Sequence, residues 1–155
     1  KMPERRYKTS QEKDFLTTYW ISKLWQSLQI RDDLIKDRSK RIKVNLVLDE
    51  LYQVPQAQTL LTEKLSQMAK FDCKIILSCH YLGQIPIIRN ELKAANSSYM
   101  LISGVDKDNF KELKEELSPY ELEDLLNLKR YNSLNLIKYE DGYSKFITQL
   151  PKPIV

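Results

Sequence analysis

The stretch VNLVLDE, residues 44–50, is the strongest structural signal in the chain. Its branched apolar residues form the short run that is typical of a buried strand in a parallel sheet, covered on both faces. Asp49 and Glu50 follow the run directly, and open α/β sheets place their ligands at the carboxyl ends of their strands. The stretch therefore predicts a central strand with two carboxylates at a ligand-binding edge.

An acidic pair in this position is the pattern called Walker B in P-loop nucleotidases. There the first acid holds Mg²⁺, usually through water, and the second polarises the water that attacks the γ-phosphate. By this pattern, Asp49 is the candidate Mg²⁺ ligand and Glu50 is the candidate catalytic base. A strand that merely ends in two solvated acids has the same sequence, so that alternative stays open at this point.

The composition is that of an ordinary globular protein, with 155 residues, 42% of them hydrophobic and 30% charged. The net charge of +4 is compatible with a nucleic-acid partner without requiring one. Cys73 and Cys79 flank one apolar run and have neither a disulfide nor a metal-site spacing, which favours a reducing compartment. No apolar run reaches the roughly 18 residues that a membrane span needs. We therefore expect a cytoplasmic location, with any membrane association made through other parts of the native chain.

Glycine is scarce, at three residues, and nothing in the chain matches the phosphate-binding pattern GxxxxGK[ST]. If Asp49 and Glu50 serve an ATPase, its phosphate loop must lie elsewhere, and we expect it upstream of Lys1 in a longer native polypeptide. This chain alone is then not expected to hydrolyse ATP.

The segment before the central strand predicts one long helix. After a basic connector over residues 1–8, Thr9 and Glu12 have the spacing of a capping box, and the helix should run to about Ile35. Residues 31–41 are charged and predict a solvated turn. The apolar side chains of this helix form one stripe, which we expect to pack into the protein core rather than to stack on nucleic-acid bases. They are Phe15, Leu16, Tyr19, Trp20, Ile21, Leu24, Trp25 and Leu28.

Beyond the central strand, helical spacing over residues 56–70 precedes a second apolar run at 73–79. A strand, a helix and a strand at this spacing predict a right-handed βαβ unit. Asp49, Glu50 and His80 should then emerge at one edge of the sheet. The remaining pattern predicts a loop and short helix over 85–95 with Arg89, a strand at 98–104 and a helix at 106–117. A capping box at 118–121 should start a short helix that ends near Leu128, and the last strands, 134–139 and 143–147, should form a hairpin that flanks Asp141 and Gly142.

The order of these parts resembles the C-terminal half of the motor domain of HerA/FtsK-type ATPases, especially the hexameric DNA pumps related to conjugative coupling proteins. The resemblance covers about residues 42–150. It depends on four stretches. The first strand ends in the acidic pair (residues 46–50), and a lysine–phenylalanine phrase (70–72) precedes the second strand. That strand continues into a polar segment (75–84), and a third strand follows (98–104).

The resemblance implies an α/β fold, namely part of a P-loop NTPase (RecA/FtsK-like) domain with a mainly parallel sheet, flanking helices and a C-terminal β-hairpin. Residues 1–41 would be the connector and long helix of that domain, and residues 42–155 its Walker B to hairpin portion. The implied cofactors are ATP and Mg²⁺. The implied partners are DNA, bound without sequence preference in the centre of a hexameric ring, and membrane or secretion proteins reached through other regions. Conjugative transfer, DNA segregation and genome packaging are the implied roles.

The resemblance also carries residue roles. It makes Asp49 the Mg²⁺-coordinating acid and Glu50 the catalytic base. His80 stands where the family commonly has a sensor glutamine that contacts the γ-phosphate. Histidine in that place is a departure from the pattern. It can donate a similar hydrogen bond, but its charge can change near neutral pH and that of glutamine cannot. Arg89 follows the sensor loop and is the candidate for the arginine that completes a neighbouring subunit's site. Arg130, or a residue outside these 155, is the alternative.

Two other functions are open from the sequence. Asp49, Asp72 and Lys74 match the loose acid…(D/E)xK pattern of a metal-dependent nuclease, in which two carboxylates hold Mg²⁺ and the lysine supports the attacking water. Asp72 precedes its strand, which weighs against that grouping. A non-catalytic interaction domain that keeps the ATPase fold is the other alternative, and the missing phosphate loop favours it.

Overall fold

The computed structural model describes residues 7–95, 97–102 and 107–151. Contacts divide the chain into two compact units, Lys1–His80 with Gln84–Glu91, and Tyr81–Gly83 with Leu92–Val155. Within the described ranges, none of the helices combines the length and the apolar character that a membrane crossing requires. The helices and strands are α1 (Ser10–Leu34), β1 (Val44–Leu48), α2 (Pro55–Met68), β2 (Cys73–Leu77), α3 (Pro86–Ala94), β3 (Tyr99–Ile102), α4 (Lys107–Glu112), α5 (Lys114–Leu117), α6 (Leu122–Leu126), β4 (Asn132–Tyr139) and β5 (Gly142–Gln149).

The long helix α1 begins where the sequence predicts. The Thr9 hydroxyl accepts a hydrogen bond from the Glu12 amide at 3.1 Å. The Glu12 carboxylate accepts from the Lys8 amide at 2.8 Å, one residue before the partner that a capping box predicts. Both contacts supply partners to backbone donors at the start of the helix, which stabilises it there.

The buried face of α1 differs from the predicted stripe. Phe15 and Trp20, which the apolar pattern places in the core, are 63% and 57% exposed. The helix packs against α2 in the first unit, and the N-terminus of α2 lies against the carboxylate of Asp14. Because burying that carboxylate fixes the rotation of α1, polar side chains replace aromatic ones at its start, and the buried positions are Asp14, Thr17, Ile21, Trp25 and Leu28.

Strands β1 and β2 form a two-stranded parallel sheet in the first unit. Val44 pairs with Cys73, and the register continues to Leu48 with Leu77, which confirms the predicted parallel pair. The expectation that both faces are covered is wrong for the described chain, because burial alternates along each strand and Val47 is 63% exposed. Helix α2 packs against β2, so the sheet has one partly buried face and one exposed face.

The charged segment after α1 is exposed over residues 33–40, which confirms the predicted solvated turn, and arginines at both of its ends and within it make specific contacts. Arg31 donates through Nη1 to the Ile42 carbonyl at 2.6 Å. Arg38 donates through Nε to Asp72 at 2.9 Å, and the side chain of Arg41 is only 7% exposed. Arginines carry five donors on a planar group, so they can satisfy several carbonyls at once and fix the approach to β1.

The second unit contains a three-stranded antiparallel sheet in the order β3-β4-β5. The predicted hairpin is confirmed, but its turn is Glu140–Asp141, one residue before the predicted Asp141–Gly142, since Gly142 pairs with Tyr139. Gly142 has φ +153, which favours glycine at this position. The expectation of one mainly parallel sheet is wrong, since β3 pairs antiparallel with β4 and not with the parallel pair. Residues 103–106, which the sequence assigns to a strand end and a helix start, lie outside the described residues.

The helices of the second unit are shorter than predicted. The predicted helix at 106–117 is divided into α4 and α5 at Leu113, which is fully buried. The predicted start of the next helix at Ser118 is wrong, because Glu121 is the N-cap and forms a reciprocal capping box with Asp124. The buried apolar side chains of this unit include Leu113, Leu117, Leu125, Leu134 and Leu136.

Candidate functional site

Both strands of the parallel sheet end at the same edge, and the candidate residues follow them. Leu48 and Leu77 are the last paired residues, and the Ser78 amide donates to the Leu48 carbonyl at 3.0 Å. Asp49 and Ser78 therefore lie side by side, one residue beyond the ends of β1 and β2. The fold therefore has Asp49 and Glu50 at the carboxyl end of β1, where the sequence predicts them.

Ser78 connects the two acids. Its hydroxyl donates a short hydrogen bond to Asp49 Oδ1 and accepts one from the Glu50 amide at 3.3 Å. Asp49 is exposed and Glu50 is half-buried. Ser78 was not predicted as a site residue, and the strand register is what places it opposite Asp49. One hydroxyl thus orients the carboxylate of the first acid and the backbone of the second.

Glu50 occupies an unusual backbone conformation, with φ 52 and ψ 48 in the left-handed region. It is the N-cap of the short 3-10 turn Leu51–Gln53, yet its side chain caps no backbone amide of that turn. Its Oε2 instead accepts from Gln53 Nε2 at 2.5 Å. The Glu50 carboxylate therefore lies beside the sheet edge, bonded to a side chain of its own turn and capping no backbone amide.

This backbone geometry gives a stability prediction. A side chain with a Cβ atom costs about 1 kcal/mol in the left-handed region, and glycine avoids that cost. We expect Glu50→Gly to be about 1 kcal/mol more stable than Glu50→Ala in urea unfolding, although both lose the same carboxylate. Equal midpoints for the two variants, or a less stable glycine variant, would contradict the left-handed conformation at Glu50.

His80 is exposed and lies near the same edge. Its backbone amide donates to Gln84 Oε1 at 2.9 Å, and its ring centroid is 5.9 Å from that of Tyr52. Tyr52 in turn accepts from Gln53 Nε2 at 3.2 Å. His80 therefore belongs to the neighbourhood of the acidic pair, and its sensor role stays a prediction.

The two candidate arginines lie in different units. Arg89 is half-buried on α3, within the first unit, and its amide donates to the Ile85 carbonyl at 3.0 Å. Arg130 belongs to the second unit and lies over the Tyr131 ring at 4.9 Å. Neither contact bears on a neighbouring subunit, so the assignment of the arginine that completes a site in trans stays a prediction.

The residues of the nuclease pattern are not brought together. Asp72 precedes β2 and is bound by Arg38, whereas Asp49 follows β1. The register places Asp72 beside Lys43, at the start of the sheet, whereas Asp49 follows its end. At a rise of about 3.3 Å per residue, the two acids are about 20 Å apart. Lys74 is on β2, one residue past Cys73 at its start. The structure therefore separates the two carboxylates that this pattern requires to share a metal.

The residues at the edge fit Mg²⁺ in one specific way. Mg²⁺ is commonly bound by one or two carboxylates together with water and substrate phosphates. Asp49 and the Ser78 hydroxyl supply oxygen donors of this kind. Across residues 7–95, 97–102 and 107–151, no group of three or more His, Cys, Asp or Glu side chains could hold a metal ion. The protein donors thus suit an ion whose remaining ligands come from water and phosphate.

A shallow groove of about 410 Å³ adjoins this neighbourhood. Its lining includes Gln53, which contacts Glu50, and two basic residues, Lys8 just before α1 and Lys13 within it. Its lining consists of Tyr7, Lys8, Thr9, Ser10, Lys13, Tyr52 and Gln53.

No protein-family model, curated protein or solved structure matches this chain.

Proposed function

We propose that this chain supplies the Walker B part of the catalytic site of a DNA-translocating ATPase similar to HerA/FtsK motors. The observation that supports this most is the arrangement of Asp49 and Glu50 after β1, with Ser78 of the neighbouring parallel strand joined to both. Adjacent acids at the carboxyl edge of a parallel sheet are what hydrolysis of a nucleoside triphosphate uses.

In this proposal the reaction is in-line attack of water on the γ-phosphate of ATP. Glu50 accepts the proton of that water through Oε1, since Oε2 is engaged by Gln53. Asp49, oriented by Ser78, would hold Mg²⁺, which neutralises charge on the phosphates when it is bound. His80 would donate a hydrogen bond to the γ-phosphate, and Arg89 would serve the site of an adjacent subunit.

The proposed site needs parts that these residues do not contain. A phosphate loop would come from elsewhere in the native polypeptide, because the sequence has no GxxxxGK[ST]. A neighbouring subunit of a ring, which we propose to be hexameric, would contribute the arginine. These requirements make hydrolysis a property of the assembled native protein.

DNA is the proposed partner, gripped through its phosphates in the centre of the ring and therefore without sequence preference. The net charge of +4 is compatible with this. Conjugative transfer, DNA segregation and genome packaging are cytoplasmic tasks that such a motor performs, in some cases with membrane or secretion partners bound through other regions of the native chain.

The proposal is tested by ATP turnover of the native polypeptide that contains these residues, with and without double-stranded DNA. We expect DNA-stimulated turnover that requires Mg²⁺ and falls about a hundredfold in Asp49→Asn, because loss of the carboxylate weakens Mg²⁺ binding. Raising the Mg²⁺ concentration should recover part of this loss.

Asp33→Asn is the matched control, since Asp33 is a highly exposed acid near the end of α1 whose carboxylate pairs with Lys36, just past the helix. Its turnover should equal that of the wild type. Absence of turnover, or turnover indifferent to Asp49, would reject the motor and leave a non-catalytic interaction domain as the explanation. The nuclease is not proposed, because Asp49 and Asp72 lie at opposite ends of the sheet.

A further inference from the structure

Gln53 makes three side-chain contacts next to the acidic pair. Its Nε2 donates to Glu50 Oε2 at 2.5 Å and to the Tyr52 hydroxyl at 3.2 Å. Its Oε1 accepts from the ammonium group of Lys13, on the first turns of α1. The amide therefore links the second acid of the sheet edge to a different element of the same unit.

These contacts determine which way the amide points. If the amide turned over, its oxygen would face the Glu50 carboxylate and its NH₂ group would face the Lys13 ammonium, so both contacts would become repulsive. The lysine thus keeps the donor side of Gln53 directed at Glu50. Because the Glu50 carboxylate is negative and the Lys13 ammonium is positive, the two hydrogen bonds hold this orientation more firmly than one hydrogen bond between neutral groups would.

The carboxylate of Glu50 needs such a partner. A glutamate side chain has three rotatable bonds, and Glu50 is not held by capping its own turn. With Oε2 engaged by Gln53, the carboxylate is restricted in orientation, and in the proposed reaction Oε1 is the oxygen left to accept from the attacking water. A misplacement of about 1 Å at a reacting group can cost about a hundredfold in rate.

We propose that Gln53 is the positioning residue of Glu50, and that Lys13 acts one step further out by orienting Gln53. This inference depends on the proposed function, in which Glu50 is the catalytic base. It assigns the start of α1 a role beyond helix capping and the contact of Asp14 with α2. It also makes the turn Leu51–Gln53 part of the catalytic apparatus.

The test is the steady-state ATP turnover of the native polypeptide carrying Gln53→Met, which keeps the side-chain length and removes both polar atoms. We expect kcat to fall about 10- to 100-fold. KM for ATP should stay within about twofold, since Gln53 contacts the base and not the nucleotide. Gln67→Met, at an exposed position of α2, is the matched control and should leave both constants unchanged.

Two further variants separate positioning from a general structural effect. In a Glu50→Gln background, Gln53→Met should cause no further loss, because the base that it positions is already absent. Lys13→Met should lower kcat less than Gln53→Met does, and the two losses should not add. If Gln53→Met does not fold, Gln53→Glu provides the same test, because it keeps a partner for Lys13 while placing a second carboxylate against Glu50.

The outcomes distinguish this inference from the proposed function. Turnover that survives Glu50→Gln would overturn the proposed function and the inference with it. Turnover that is lost in Glu50→Gln but unchanged in Gln53→Met would overturn the inference alone. A fall in kcat that adds fully to that of Glu50→Gln, or a rise in KM with kcat unchanged, would also overturn it.

Discussion

Glu50→Gln should lower DNA-stimulated ATP turnover of the native polypeptide about a thousandfold while leaving ATP binding nearly unchanged. A positioned general base contributes on the order of 10²–10⁴ in rate, and the amide cannot accept the proton of the attacking water. The substitution keeps the size of the side chain. It also retains an oxygen that can accept from Gln53 Nε2, so the local turn should persist.

Glu63→Gln is the control for this substitution. Glu63 is an exposed acid on α2 that pairs with the adjacent Lys64 at 3.7 Å. It therefore reports the effect of removing one negative charge from the same unit without touching the sheet edge. Turnover in Glu50→Gln within about threefold of the wild type would leave no role for Glu50 as the base.

Asp14→Ala should destabilise the first unit by about 3 kcal/mol. Asp14 is 4% exposed, and its carboxylate accepts from the Gln56 amide at 3.0 Å and from the Ala57 amide at 3.2 Å. These are the first donors of α2, because Pro55 has no N–H and Val54 provides no side-chain cap. Removal of the carboxylate takes the acceptor from the buried Ala57 amide and the part-buried Gln56 amide, and it loses a favourable interaction with the helix dipole.

The measurement is urea unfolding followed by tryptophan fluorescence, since Trp25 is buried in the first unit. Asp14→Asn keeps one acceptor oxygen and should lose only about 1 kcal/mol. Asp33→Ala, at an exposed position of the same helix, should change stability by less than about 0.5 kcal/mol. An Asp14→Ala midpoint equal to that of Asp33→Ala would show that the contact to α2 contributes nothing.

The local pattern was sufficient for part of the candidate site. An apolar run followed by two acids predicted that Asp49 and Glu50 lie where a strand ends, and the next run predicted the neighbouring parallel strand. Ser78 was missed because a serine after a strand is unremarkable until the register places it beside Asp49. Gln53 and Lys13 were missed for a stronger reason, since they come from separate elements that only packing brings together.

The sequence alone determined the elements whose signals are short in range. These are the Thr9 cap of α1, the two apolar strands with their crossover helix, and the hairpin at Gly142, because each depends on residues only a few positions apart. The tertiary structure decided the rotation of α1, which buries Asp14 in place of the aromatic residues. It also decided the antiparallel partner of β3 and the contacts that Ser78 and Lys13 make beside Glu50. Each of these depends on which distant groups satisfy a buried charge, a strand edge or a carboxylate, and local spacing carries no information about that.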